Sequence, residues 1–240
     1  MSVGHTTAAA VTDLDRAVWS ALGTVRDPEL DEPITDLGFV TAAAVTCGVA
    51  HVRLVLPTYF CAPNFAYLMV ADAYDAVAAV RGVHTVDVRL EDHFASEEIN
   101  AGVAARSGFA GSFPGDTAPG DELAELRRTF QRKAHTACLE RACRKLLDAG
   151  WQVEGLGTSR LADVPAAERV SLLRRRAELG LPTGSDEPLM VDDHGRPVAT
   201  EKVAAHLRFA KAVRVSIDGN ASFCRGLLHT RYPELREEES

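Results

Sequence analysis

Residues 39–65 read FVTAAAVTCGVAHVRLVLPTYFCAPNF, and this stretch decides the fold. FVTAAAVT (39–46) and HVRLVL (51–56) alternate apolar with small or polar positions, the period of half-buried strands. Cys47-Gly48-Val49 joins them, and Gly48 suits the tight turn of a hairpin. PTYFCAPNF then breaks the second strand and leads into a helix over about 63–81. Phe65, Leu68, Met69, Ala76, Val77 and Val80 give that helix its buried side, and Gly82 is a suitable stop.

Working outward, Thr12 or Asp13 caps an upstream helix whose stripe is Leu14, Ala17, Val18, Ala21, Leu22 and Val25. It must end before Pro28, because a residue preceding proline is pushed out of the α region. The tract DPELDEPITDLGF (27–39) follows as a rigid acidic loop. Downstream, HTVDVRL (84–90) alternates as a third strand. The order helix, strand, strand, helix, strand predicts an α+β domain, with two helices packed on a three-stranded sheet.

The remainder reads as mostly helical. Residues 101–120 are rich in Gly, Ala, Ser and Pro and read as a linker. Helices are expected over 121–149 and 165–179 and again over 200–212, with VRVSID (213–218) as a strand and SFCRGLL (222–228) as a last helical turn. The expected organisation is a domain at 1–100, a linker at 101–120 and a mostly helical domain at 121–240.

Charge supports a boundary near residue 100. Residues 1–100 hold 5 basic and 14 acidic side chains, and residues 101–240 hold 21 and 20. A net charge of -8 argues against a general nucleic-acid footprint. No apolar run approaches the roughly 20 residues of a membrane span. MSVGHTTAAAVTDLD lacks a basic, apolar secretory leader, so the expected location is the cytoplasm. Five scattered cysteines there read as free thiols, metal ligands or core residues, not staples.

Cys61 stands out because a strand ends and a helix begins around it. Unpaired N–H groups and partial positive charge at a helix start favour a thiolate, the form that attacks carbon and binds soft metals. Thr58 lies in the same turn and can donate to sulfur, while Pro57 and Pro63 stiffen it. The alternative is a small apolar side chain packed under the helix. A nucleophilic enzyme would need a base, for which His51 and His84 are the nearby candidates.

Residues 14–99 resemble the SufT/PaaD-like family of iron–sulfur cluster assembly factors. The resemblance rests on Ala21-Leu22, Val25-Arg26-Asp27-Pro28-Glu29-Leu30, Asp36-Leu37-Gly38-Phe39, Leu56-Pro57-Thr58-Tyr59-Phe60-Cys61 and Val80-Arg81-Gly82-Val83. It implies that Cys61, Thr58, Asp27 and Glu29 handle the cargo, with Cys61 as the metal-binding thiol. The family commonly has Cys-Pro where this chain has Cys61-Ala62-Pro63, which shifts the helix entry by one residue. One thiolate cannot hold a stable four-thiolate cluster, but a carrier needs open coordination to give its cargo away.

The resemblance thus implies a non-enzymatic factor that carries a transient iron–sulfur cluster to a client apo-protein, working with other cluster assembly proteins. An alternative is a maturation factor or chaperone for an iron-dependent multicomponent oxygenase, whose subunit is then the client. A homodimer is a further assembly, and neither nucleic acid nor membrane is expected as a partner. His93, Glu97 and Glu98 combine a histidine with carboxylates, but read chiefly as a solvated loop after the third strand. In the C-terminal half, His135, Cys138, Cys143 and Cys224 are candidate ligands for iron or zinc. Cys138 and Cys143, however, sit roughly 140° apart on a helix, so buried inert thiols are the simpler reading.

Overall fold

The structure is a computed structural model that describes residues 12–114 and 122–233. The stretch 1–11 and the end of the expected linker, 115–121, lie outside the described residues. The chain divides into two compact units. The first comprises residues 1–27, 32–119 and 224–240, and the second comprises 28–31 and 120–223.

The first unit begins with α1 (Asp13–Leu22). Thr12 caps it: Asp15 N–H donates to Thr12 Oγ1 at 3.1 Å, while Thr12 N–H donates to Asp15 Oδ2 at 2.7 Å. The acidic tract after it is a closed excursion, since Ile34 N–H donates to Val25 O and Asp27 N–H to Glu32 O, both at 3.0 Å. Gly38 ends it at φ +74, and a Cβ there would come within 3.2 Å of Leu228.

Strands β1 (Val40–Thr46) and β2 (Val49–Leu54) form the expected hairpin, with Thr46 opposite Val49. Cys47 and Gly48 both have positive φ, at 52° and 78°, as the preferred two-residue hairpin turn requires. Helix α2 (Pro63–Ala78) then crosses to β3 (Thr85–Leu90), which pairs parallel to β2 in the order β1-β2-β3. Parallel neighbours need such a crossover, and α2 supplies it. Ala50, Val52, Leu54, Val88 and Leu90 from the sheet and Val18, Leu22, Val70, Ala73 and Val77 from the helices are buried. Each buried Val or Leu is worth about 1.5–3 kcal/mol, so this face dominates the unit's stability.

Side chains cap one position on each margin of the sheet. On β1, Val45 N–H donates to Asp15 Oδ1 at 2.7 Å. On β3, the Asn100 carboxamide takes Leu90 N–H at 2.8 Å and donates to Leu90 O at 2.9 Å.

Several expected boundaries move. The crossover helix stops at Ala78, ahead of Gly82, and β2 starts two residues early because the tight turn brings Val49 and Ala50 into register. Residues 101–114 of the expected linker are not structureless. They finish α3 (Ser96–Ala104) and form α4 (Gly108–Ser112), where Phe109 stacks on Tyr67 with ring centroids 5.5 Å apart.

The second unit is built on α5 (Glu122–Asp148) and α6 (Ala166–Leu179), with α7 (Val203–Arg231) running on into residues counted with the first unit. VRVSID is therefore helix, not strand. Its alternation is short, and no proline interrupts residues 203–231. Leu139, Ala142, Leu146, Leu156, Leu161, Leu172 and Met190 form the core. Arg176 is fully buried among them, and its guanidinium donates to Pro182 O, Pro188 O and Leu189 O at 3.1, 2.9 and 2.8 Å. That trio of carbonyls ties α6 to the extended segment 182–189.

Candidate functional site

Cys61 occupies the turn between β2 and α2, one residue before the helix cap Ala62. The cap carries no side-chain hydrogen bond, so the stiffness of the turn comes from Pro57 and Pro63. The thiol is partly exposed, and Thr58 Oγ1 lies 3.3 Å from Cys61 Sγ. When sulfur is ionised, the hydroxyl must be the donor, because a thiolate has no hydrogen to give. The expected Thr58–Cys61 pair is therefore formed.

The backbone of Cys61 is held from behind. His93 Nε2 lies 2.8 Å from Cys61 O, and His93 Nδ1 accepts from Ala95 N–H at 3.2 Å. Nδ1 is thus the acceptor and Nε2–H the donor, which assigns a neutral tautomer. Burial lowers the His93 pKa, outweighing the bond to Cys61 O, and the nearby Arg231 charge lowers it further. The loop expected to be solvated here instead buries its histidine, which is 3 % exposed. Both ring nitrogens are engaged, leaving His93 no free lone pair for iron. Glu97 and Glu98 are exposed in the first turn of α3.

A third tie comes from the end of α7. Arg231 donates to Leu56 O at 3.1 Å and to Asp92 O at 2.5 Å, and Tyr232 Oη–H donates to Asp92 Oδ2 at 2.8 Å. The Tyr232 hydrogen bond, opposed by slight burial and aided by Arg231, lowers the Asp92 pKa. Nothing in the local sequence near Cys61 announces His93, Arg231 or Tyr232. Only the fold brings them to the loops at 56–61 and 92–94.

On the Cys61 turn and the loop after β3, Tyr59, Phe60 and Phe94 stack in the open. Ring centroids are 5.0 Å apart for Tyr59–Phe60, 6.0 Å for Phe60–Phe94 and 6.4 Å for Tyr59–Phe94.

The two carboxylates of the acidic tract part company. Asp27 is buried in the first unit. Glu29 belongs to the second, where its Oε1 accepts from Asn220 Nδ2 at 3.3 Å. It lines a cleft of about 240 Å³ with Phe130, Lys133 and Ile217.

The histidines considered as bases are committed elsewhere. His51 Nδ1 lies 3.3 Å from Asp87 Oδ2 on the open face of the sheet. Partial burial raises the Asp87 pKa, but hydrogen bonds from Arg89, Arg53 and His51 outweigh it and hold Asp87 at about 2. His84 packs against Gly48 at the hairpin end, whereas Cys61 follows the opposite end of β2.

The C-terminal candidates do not converge. Cys143 is fully buried, with Sγ 3.4 Å from Met190 Sδ, and burial, reinforced by the Glu140 charge, pushes its thiol up to about 12. A thiol that stays protonated is a poor ligand. Cys138 is buried, with Sγ 4.0 Å from Asp31 Oδ2 and 3.7 Å from Arg141 Nη2. His135 is 2 % exposed, and burial first, then Arg176 and His206, lowers it to about 4. Cys224 is counted with the first unit. Among the described residues no three His, Cys, Asp or Glu side chains form a group able to hold a metal ion.

Residues 15–88 match the family model described as iron-sulfur cluster assembly protein. No curated protein matches, and no solved structure matches. The match spans α1 to β3 and contains Asp27, Glu29, Thr58 and Cys61, while His93 and Arg231 lie beyond it. Residues 15–88 of this chain thus match an iron-sulfur cluster assembly domain.

Proposed function

We propose that the chain is an assembly factor that delivers an iron–sulfur cluster, or the iron for one, to a client apo-protein, with Cys61 as the exchanging ligand. The family match supports a role in cluster assembly. The observation that carries the finer reading is the partly exposed Cys61 thiol held 3.3 Å from the Thr58 hydroxyl on a turn braced by His93 and Arg231.

Its chemistry suits a donor that must release its cargo. A single thiolate matches soft iron, yet leaves most coordination positions for sulfide, a second protein or the client's own cysteines. The Thr58 hydroxyl gives the sulfur a hydrogen-bond partner between loadings, which lowers the cost of letting go. Asp27 and Glu29 shape the flanking acidic tract in this reading.

Anaerobic reconstitution with ferrous ion and sulfide tests this. The loaded chain should show sulfide-to-iron charge-transfer absorption, pass it to an apo-ferredoxin, and lose it in Cys61→Ser. Retention of full absorption by Cys61→Ser would sink the proposal. Ferrous ion bound without sulfide would favour the oxygenase-maturation reading instead.

A further inference from the structure

We propose that the aromatic platform beside Cys61 is the docking surface for a partner segment that presents an apolar side chain flanked by lysine or arginine. The inference rests on the reading that Cys61 passes cargo to another protein, and it names the chemistry by which that protein is recognised.

Phe60 is 76 % exposed, Phe94 47 % and Tyr59 44 %. Isolated surface aromatics are ordinary, but three rings in mutual contact form a continuous apolar area that water solvates poorly. They are also fixed. Phe94 N–H donates to Tyr59 O at 3.2 Å, which ties the two loops together at the platform. His93 stacks on Phe94 with centroids 4.9 Å apart. A rigid aromatic surface loses little side-chain entropy when something lands on it, which is the usual character of a binding hot spot. Phe60 precedes Cys61 directly in sequence, so whatever covers the ring sits on the turn that carries the thiol.

Charge selects the occupant. The segment Glu91-Asp92-His93-Phe94-Ala95-Ser96-Glu97-Glu98 carries four carboxylates and no lysine or arginine. Asp92 is engaged by Arg231, and Glu91 lies 3.4 Å from Arg53. Glu97 and Glu98 are exposed, and neither forms an ion pair among the described residues. With Arg231, which lies 6.0 Å from the Tyr59 ring, spent on Asp92, the unpaired Glu97 and Glu98 three and four residues beyond Phe94 leave this flank net acidic, which repels phosphate backbones and anionic lipid surfaces. A second copy is disfavoured on the same ground. In a two-fold contact the same patch meets itself, and the two acidic margins would face each other. A basic-flanked apolar segment satisfies both the rings and the carboxylates.

The test uses the cargo-free full-length chain and a displayed library of random peptides, so it can fail while the cargo reading stands, and the reverse. Enriched peptides should carry an aliphatic or aromatic residue bracketed by Lys or Arg. The best of them, fluorescently labelled, should bind about tenfold more weakly to Phe60→Ser and to Glu97→Lys/Glu98→Lys, and should weaken as salt rises. Phe60 is largely in solvent, so its replacement leaves folding intact, which circular dichroism checks. Enrichment of neutral or acidic peptides, equal binding to the variants, or no enrichment overturns the proposal. So does a dimer in sedimentation that Phe60→Ser dissociates, which would assign the platform to a second copy.

Discussion

His93 donates from Nε2 to the carbonyl oxygen of Cys61 at 2.8 Å, joining two residues 32 positions apart in the chain. The bond spans the gap between the turn that presents the thiol and the loop that follows β3. Because Nδ1 accepts from Ala95 N–H, the ring is locked in one tautomer and acts as a brace.

Replacing His93 by alanine removes that brace and leaves the Cys61 carbonyl and Ala95 N–H without their partner. The expected loss is about 1–3 kcal/mol in urea unfolding, the usual cost of stranding buried polar groups. Hydrogen exchange should quicken at residues 59–63 and 93–96. Unchanged exchange there would show that the bond does not hold the turn.

Thiol reactivity should sort by position. Native protein treated briefly with iodoacetamide should label exposed Cys47 and partly exposed Cys61, while Cys138 and Cys143 react only after unfolding. Thr58→Val should slow labelling of Cys61 by a factor of about 3–10, equivalent to one modest hydrogen bond to sulfur. Peptide mass mapping reads both outcomes, and native labelling of Cys143 would contradict its packing against Met190.

Acid should weaken the second unit through His135. Its folded pKa is about 4 against an ordinary 6.5, so the unfolded chain takes up the proton first. Its contribution is whole above pH 6.5 and drains away as pH falls towards 4. His135→Leu should flatten the fall in thermal midpoint between pH 7 and pH 4.5. A variant whose midpoint falls as steeply as the parent's would assign the acid sensitivity to other groups, such as His206 or His93.

Arg176 is a fully buried charge held by three backbone carbonyls. Arg176→Met keeps the volume but strands the carbonyls of Pro182, Pro188 and Leu189, so a loss of about 2–4 kcal/mol is expected in urea unfolding. A neutral result would mean that the segment 182–189 finds other donors.

The core of the first unit was legible because its signals are local. The hairpin, its Cys47-Gly48 turn and both flanking helices follow from alternation, helical stripes and turn chemistry over windows of a dozen residues. The Thr58–Cys61 pair was legible for the same reason, being three residues apart on one turn. His93 was not, because EDHFASEE is polar by composition and only tertiary packing removes its ring from water. VRVSID misled for a related cause: six alternating residues cannot outweigh a helix that runs uninterrupted on either side. The separation of Asp27 from Glu29 into different units has no sequence signature at all, since two residues in one loop ordinarily share an environment.

The margins of the small sheet carry a last implication. Asp15 sits on the N–H of Val45 and Asn100 on both polar groups of Leu90, so each flank is blocked at one position against a stray chain. A molecule that displays bare rings, at Phe60 and Phe94 as well as at Phe209 and Phe223, runs a standing risk of clumping. Those two caps shorten the stretch of bare edge on which indiscriminate pairing could start.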